Sequence, residues 1–126
     1  MSLAYDDQNI FAKVLRGEIP NDTVAETEHS LAFRDIRPQA PVHVLVIPKS
    51  PYVTYADFAL NAPEAEIVDF TRLVGKLVVD HGLMPTENGG GHKLISNAGH
   101  DGNQEVPHMH VHLVGGRFLG GLLQQV

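Results

Sequence analysis

The run Val42-His43-Val44-Leu45-Val46-Ile47-Pro48 constrains this chain more than any other segment. Side chains alternate across a strand, so a strand apolar on both faces must be covered on both faces. It is therefore expected to lie centrally in a sheet. Two shorter strands, Thr23 to Glu28 and Ser30 to Ile36, precede it around a turn at Glu28-His29. Lys93 to Asn97 and His108 to Val114 read as two more strands; Pro107 forces an extended approach to the second. Between them, Ala98 to Glu105 is a polar loop, and Gly115-Gly116-Arg117 closes the last strand.

Helices fall outside this strand set. One begins after Asp6-Asp7, with Ile10, Phe11, Val14 and Leu15 on one stripe, either aspartate as cap, and Gly17 with Pro20 as the stop. A longer one runs from Pro63 to about His81, where Ile67, Phe70, Val74, Leu77 and Val78 make the buried face and Gly82 ends it. Ser50-Pro51 and the residues after them suggest a single helical turn. Thr86 to Gly91 is a glycine-rich turn without the spacing of a phosphate loop. Strands grouped apart from helices and joined by short turns imply an α+β fold with a mainly antiparallel sheet. At 126 residues the chain is expected to form one domain, with a core over residues 8–117 and an unplaced tail over 118–126.

Composition narrows the function. The net charge of -6 and the lack of any Lys/Arg cluster argue against a nucleic-acid polymer as partner. No apolar run approaches the roughly 20 residues that span a bilayer, so no membrane partner is expected. The first residues lack the basic and apolar regions of a secretion signal, and there is no cysteine; a cytoplasmic location is the simplest expectation.

The chemistry concentrates in His108-Met109-His110-Val111-His112. On a strand these three histidines project to one face, about 6.5–7 Å apart. Imidazole is a poor core residue because both nitrogens need partners. A polar solvent-facing strand is one explanation and a zinc site another, since neutral imidazole is a common ligand. Catalysis explains more. Neutral imidazole is a nucleophile near pH 7, a neighbour fixes its tautomer, and a second imidazole stabilises phosphoryl oxygens or protonates a leaving group. His29, His81, His92 and His100, on expected loops or a helix end, read as solvated.

His108-Met109-His110-Val111-His112-Leu113-Val114 resembles the signature of the histidine triad (HIT) superfamily, three histidines alternating with apolar residues. Gly115-Gly116-Arg117 is similar to the nucleotide-binding branch that hydrolyses purine nucleoside phosphoramidates. Residues 10–20 resemble that branch's first helix, and residues 33–43 its strand and turn leading to a fourth histidine. The resemblance implies a five-stranded sheet with two main helices. It implies that His110 attacks phosphorus to give a nucleotidylated histidine, that His108 and His112 orient His110 and bind phosphate, and that His43 completes their hydrogen-bond chain. It also implies that Asp35 accepts from ribose hydroxyls, that Ile10, Phe11, Phe33, Ile36 and Leu45 line the base pocket, and that Asn97 reaches the ribose-phosphate region. No cofactor or metal is required on this scheme. The substrate partner is an AMP-like purine nucleotide, and a second copy of the chain pairs through the long helix and the adjacent strand. Phe33 and Leu45 have a plain alternative as core residues, and Asp35 as a turn-former.

Two departures bear on specificity. Glu105 stands where animal members carry a serine near the leaving group, although its backbone N–H is still available to the substrate. The tail also differs from the animal form. The competing functions are a dinucleoside polyphosphate hydrolase, a non-catalytic nucleotide-binding or scaffold module, and a zinc enzyme. Gly115-Gly116-Arg117 argues against the first, and His112 argues against a nucleotidyltransferase, where glutamine is usual.

Overall fold

The computed structural model describes residues 4–124. Its elements, in chain order, are α1 (Ile10–Leu15), β1 (Thr23–Glu26), β2 (Ser30–Arg34), β3 (Val42–Pro48), α2 (Tyr55–Asn61), α3 (Glu64–Asp80), β4 (Pro85–Thr86), β5 (Gly89–Gly90), β6 (His92–Ile95) and β7 (Val111–Gly115). Five strands form one antiparallel sheet in the order β1-β2-β3-β7-β6, with β3 at its centre. The architecture is α+β.

Both faces of β3 are covered, as its composition requires. On one face Val44 and Val46 join Ala32, Met109, Val111 and Leu113 beneath Phe70, Leu73, Val74, Leu77 and Val78 of α3. On the other, Leu45 and Ile47 join Leu31 and Phe33 beneath Phe11 and Val14 of α1. Apart from Ala32, each such side chain taken out of water stabilises the fold by about 1.5–3 kcal/mol before ordering costs. The register sets Phe33 opposite Leu45, Leu45 opposite His112, and His112 opposite Ile95, so one row across the sheet carries a histidine on its α1-facing side. Among the described residues no helix is long and apolar enough to cross a membrane.

Several local expectations change. Asn9, not an aspartate, caps α1: its side chain accepts from the Ala12 amide at 2.9 Å. The expected single turn after Ser50 is the seven-residue α2, capped by Thr54, so there are three helices rather than two. β1 ends at Glu26 and β2 at Arg34, so Asp35 and Ile36 lie beyond their strand. Beyond β6, which stops at Ile95, Asn97 lies in a loop. Leu73 faces the sheet, whereas Val68 and Val79 are exposed. The glycine turn after Met84 forms the small β4–β5 ribbon, in which a Cβ on Gly90 would clash with the Met84 carbonyl.

The largest difference concerns the histidines. β7 begins only at Val111, so His108 and His110 precede the strand. The Met109 amide there donates to the Tyr52 carbonyl at 2.7 Å instead of to β3. Of the tail, residues 125–126 lie outside the described residues; Lys93 Nζ donates to the Gly121 carbonyl at 2.5 Å and Phe118 is exposed.

Candidate active site

Although two of them lie outside a strand, the histidines form a continuous group with Phe11. The His110 ring is 5.0 Å from Phe11 and 5.0 Å from His112 between centroids, and His112 is 5.2 Å from His43. His43 comes from β3, one residue past the loop that carries Gln39.

The hydrogen-bond partners determine where the protons are, because a carbonyl only accepts and a backbone amide only donates. His110 Nδ1 lies 2.6 Å from the His108 carbonyl, so it carries the proton and leaves Nε2 as a free lone pair. His43 Nδ1 accepts from the Gln39 amide at 3.1 Å, which puts the His43 proton on Nε2. That proton is donated to His112 Nδ1 at 2.9 Å, so the His112 proton sits on Nε2. The result is a lone pair on His110 beside an N–H donor on His112.

His108 is different. Its Nε2–H donates to the Pro48 carbonyl at 2.8 Å, and its Nδ1 accepts from the Tyr5 hydroxyl at 2.5 Å. It is 0% exposed, so its ring has no nitrogen left for phosphate and meets His110 through its backbone carbonyl alone. Burial pushes His108 down to about 4, against the favourable bond to Pro48. Burial likewise lowers His112 to about 4, helped by the neighbouring His110 and His43 rings. His110 is lowered too, again by burial, with its bond to the His108 carbonyl and the negative charges of Asp35 and Glu105 opposing. All three rings are thus neutral near pH 7.

Asp35 has two engagements. Oδ1 accepts from the Arg37 amide at 2.7 Å, which makes it a turn-former, and Oδ2 lies 3.5 Å from His43 Nε2. Its Oδ2, His43 Nε2 and His112 Nδ1 all lie within 4.8 Å of one another, close enough to share a metal ion. A metal would have to displace the proton between the two rings. It would also turn His43 Nδ1 into a donor facing the Gln39 N–H, so the donor set fits a metal poorly.

Phe11, Phe33 and Leu45 are buried together and form an apolar floor beside His110. Ile10, at 45% exposed, and Ile36, at 89%, stay outside that cluster and are open to solvent. Asn97 sits in the loop below, where its Nδ2 donates to the Gly102 carbonyl at 2.7 Å. Glu105 is exposed. Of the four histidines read as solvated, His100 is exposed, but His81 and His92 each donate from Nδ1 to a carbonyl, of Leu77 and Leu83, at 2.9 Å. Sequence reasoning missed Tyr5 and Gln39. Tyr5 lies 103 residues from His108, and Gln39 acts through its backbone, which no side-chain pattern announces.

A HIT domain profile matches residues 16–119. The chain is 38% identical to the purine nucleoside phosphoramidase of Escherichia coli K12 over 117 residues, covering 93% of this chain and 94% of that protein. It is 40% identical to the Arabidopsis thaliana adenylylsulfatase HINT1 over 114 residues, 89% of this chain and 74% of that one. A HIT family hydrolase structure from Legionella pneumophila superposes with a TM-score of 0.75 at 42% identity, covering 88% of this chain and 95% of the other. The chain belongs to the HIT family.

Proposed function

We propose that this protein hydrolyses purine nucleoside 5'-phosphoramidates through a nucleotidyl-His110 intermediate. The observation that carries the reading is the His110 tautomer: Nδ1–H is held on the His108 carbonyl, so a neutral Nε2 lone pair is free to attack. Its bond to phosphorus forms as the P–N bond to the leaving amine breaks. His112 Nε2–H serves the phosphoryl oxygens. The departing amine takes its proton from solvent, because a second proton on His112 would sit at Nδ1 against the His43 N–H. Water then attacks phosphorus and gives up a proton to solvent as the bond to His110 breaks, and nucleoside monophosphate leaves. Phe11 and Phe33 suit one face of a purine, and Asp35 suits the ribose hydroxyls. The scheme needs no cofactor.

An amine is favoured over a polyphosphate as leaving group. Asp35 and Glu105 already place negative charge around His110, and a departing polyphosphate would add more. The phosphoramidase and adenylylsulfatase names of the relatives support nucleotide hydrolysis in the same direction. We also propose that the active form is a homodimer in the cytoplasm.

Incubating chelator-treated protein with adenosine phosphoramidate tests the reading: AMP and ammonia are expected. His110→Ala should lower kcat by about a thousandfold or more with the fold retained, whereas exposed His100→Ala leaves it within about twofold. AMP binding without turnover would make the protein a binding module and overturn the enzymatic reading.

A further inference from the structure

The mechanism above uses the His108 carbonyl and leaves the His108 side chain without a task. That ring is nevertheless fully enclosed and held at both ends: Tyr5 Oη at 2.5 Å on Nδ1, the Pro48 carbonyl at 2.8 Å on Nε2. The Pro48 carbonyl can only accept, so neutral His108 presents a lone pair at Nδ1 and the Tyr5 hydroxyl must donate to it. Tyr5 stands edge-on to the ring, with centroids 5.6 Å apart and planes at 74°, and Phe11 flanks the same ring at 6.4 Å. Burial raises the Tyr5 hydroxyl's pKa, which keeps the donor protonated.

What this fixes is the peptide group between His108 and Met109. Its N–H donates to the Tyr52 carbonyl at 2.7 Å, and its carbonyl is the 2.6 Å acceptor for His110 Nδ1–H. Holding His108 at both ring nitrogens restrains the residue that bears that carbonyl. We infer that Tyr5 is a positioning residue for the nucleophile: its hydroxyl locks the His108 ring, and the locked residue aims the carbonyl that sets the His110 tautomer. Tyr5, from the residues before α1, therefore supports the active site, although it touches no reacting atom. This inference rests on the reading of His110 as nucleophile.

The test is Tyr5→Phe, which keeps the ring and its edge-on packing and removes only the donor, compared with Tyr5→Leu, which removes both. On adenosine phosphoramidate, Tyr5→Phe should lower kcat by about tenfold, as loss of one buried hydrogen bond allows, with KM within about twofold. Tyr5→Leu should be no better. A role in packing alone would leave Tyr5→Phe at the wild-type kcat and impair only Tyr5→Leu, which would overturn the inference. Imidazole nitrogen NMR supplies a readout that needs no substrate. Wild-type His110 should appear wholly as the Nδ1–H tautomer and His108 as the Nε2–H tautomer, and Tyr5→Phe should show a measurable Nε2–H fraction at His110 or Nδ1–H fraction at His108. Unchanged tautomers at both rings would also overturn it. If wild-type protein fails to turn over the phosphoramidate, the proposed function fails while the NMR comparison still decides the role of Tyr5.

Discussion

Burial moves His108 from 6.5 to about 4, and the size of that change has a consequence for stability. An unfolded chain carries this histidine at its ordinary pKa, so between the two values the unfolded state binds more protons than the folded one. Stability is therefore complete above about pH 6.5 and is lost as pH falls toward about 4, by about 3 kcal/mol from His108 alone. His112 acts in the same direction. Urea unfolding should show a plateau above about pH 7 and a midpoint that drops steadily by about pH 5. Replacing His108 with glutamine should flatten part of that slope. A midpoint constant between the two pH values would mean that the ring is protonated within the fold. At this scale the sequence revealed which residue types gather and not which atoms are free. His110 and His112 are legible from their alternation, and His43 through the resemblance. The assignment of the lone pair to His110 needed two backbone groups, the His108 carbonyl and the Gln39 amide, which have no signature.

Among the elements, β3 and α3 were legible because each is long and has one unambiguous period. β7 was not, because its start depends on a remote partner: Met109 bonds to Tyr52, so the ladder with β3 begins only at Val111, paired with Val46. Alternation of residues 108–114 looks the same with or without that ladder. The turn that ends β7 is held on both sides. Arg117 Nη2 donates to the Gln39 carbonyl at 2.9 Å, and the amide of the same residue holds His43, so the Gly115-Gly116-Arg117 turn supports the histidine chain. Gly116 has φ +97°, and a Cβ there would lie 2.8 Å from the Pro41 Cβ. Gly116→Ala thus meets both backbone strain and a clash with a rigid ring, and should destabilise the fold by about 1–3 kcal/mol. Because Pro41 adjoins β3, the same variant should lower kcat more than it raises KM. Thermal unfolding and steady-state kinetics on one preparation check both parts, and a variant as stable as the parent would show that the turn relaxes freely.

At the scale of the whole molecule, an open sheet edge and an apolar stripe of α3 stand out among the described residues. β6 is the sheet edge next to β7, so among the described residues one row of its backbone groups has no strand partner. Leu94 and Ile95 on that edge are exposed, and on α3 Val68, at 50%, and Val79, at 60%, flank Gly75 along one solvent-facing stripe. Nothing lies within 4 Å of the place where a Gly75 Cβ would be. Glycine in a helix interior costs about 1 kcal/mol relative to alanine, so an exposed one with apolar neighbours suits close approach by another backbone. The resemblance implied a dimer through the long helix and its adjacent strand; the exposed positions found on α3 and β6 fit that pairing. We propose a two-fold contact between these surfaces, because an isologous patch buries both open sides at once. Sedimentation at about ten micromolar should give a dimer, since a stable two-fold contact buries more than about 1,000 Å². The double variant Val68→Glu with Leu94→Glu should sediment as a monomer with an unchanged circular dichroism spectrum, since both positions are exposed within one chain. A wild-type monomer at that concentration would remove the proposal. A dimer untouched by the double variant would move its contact to another face, away from α3 and β6.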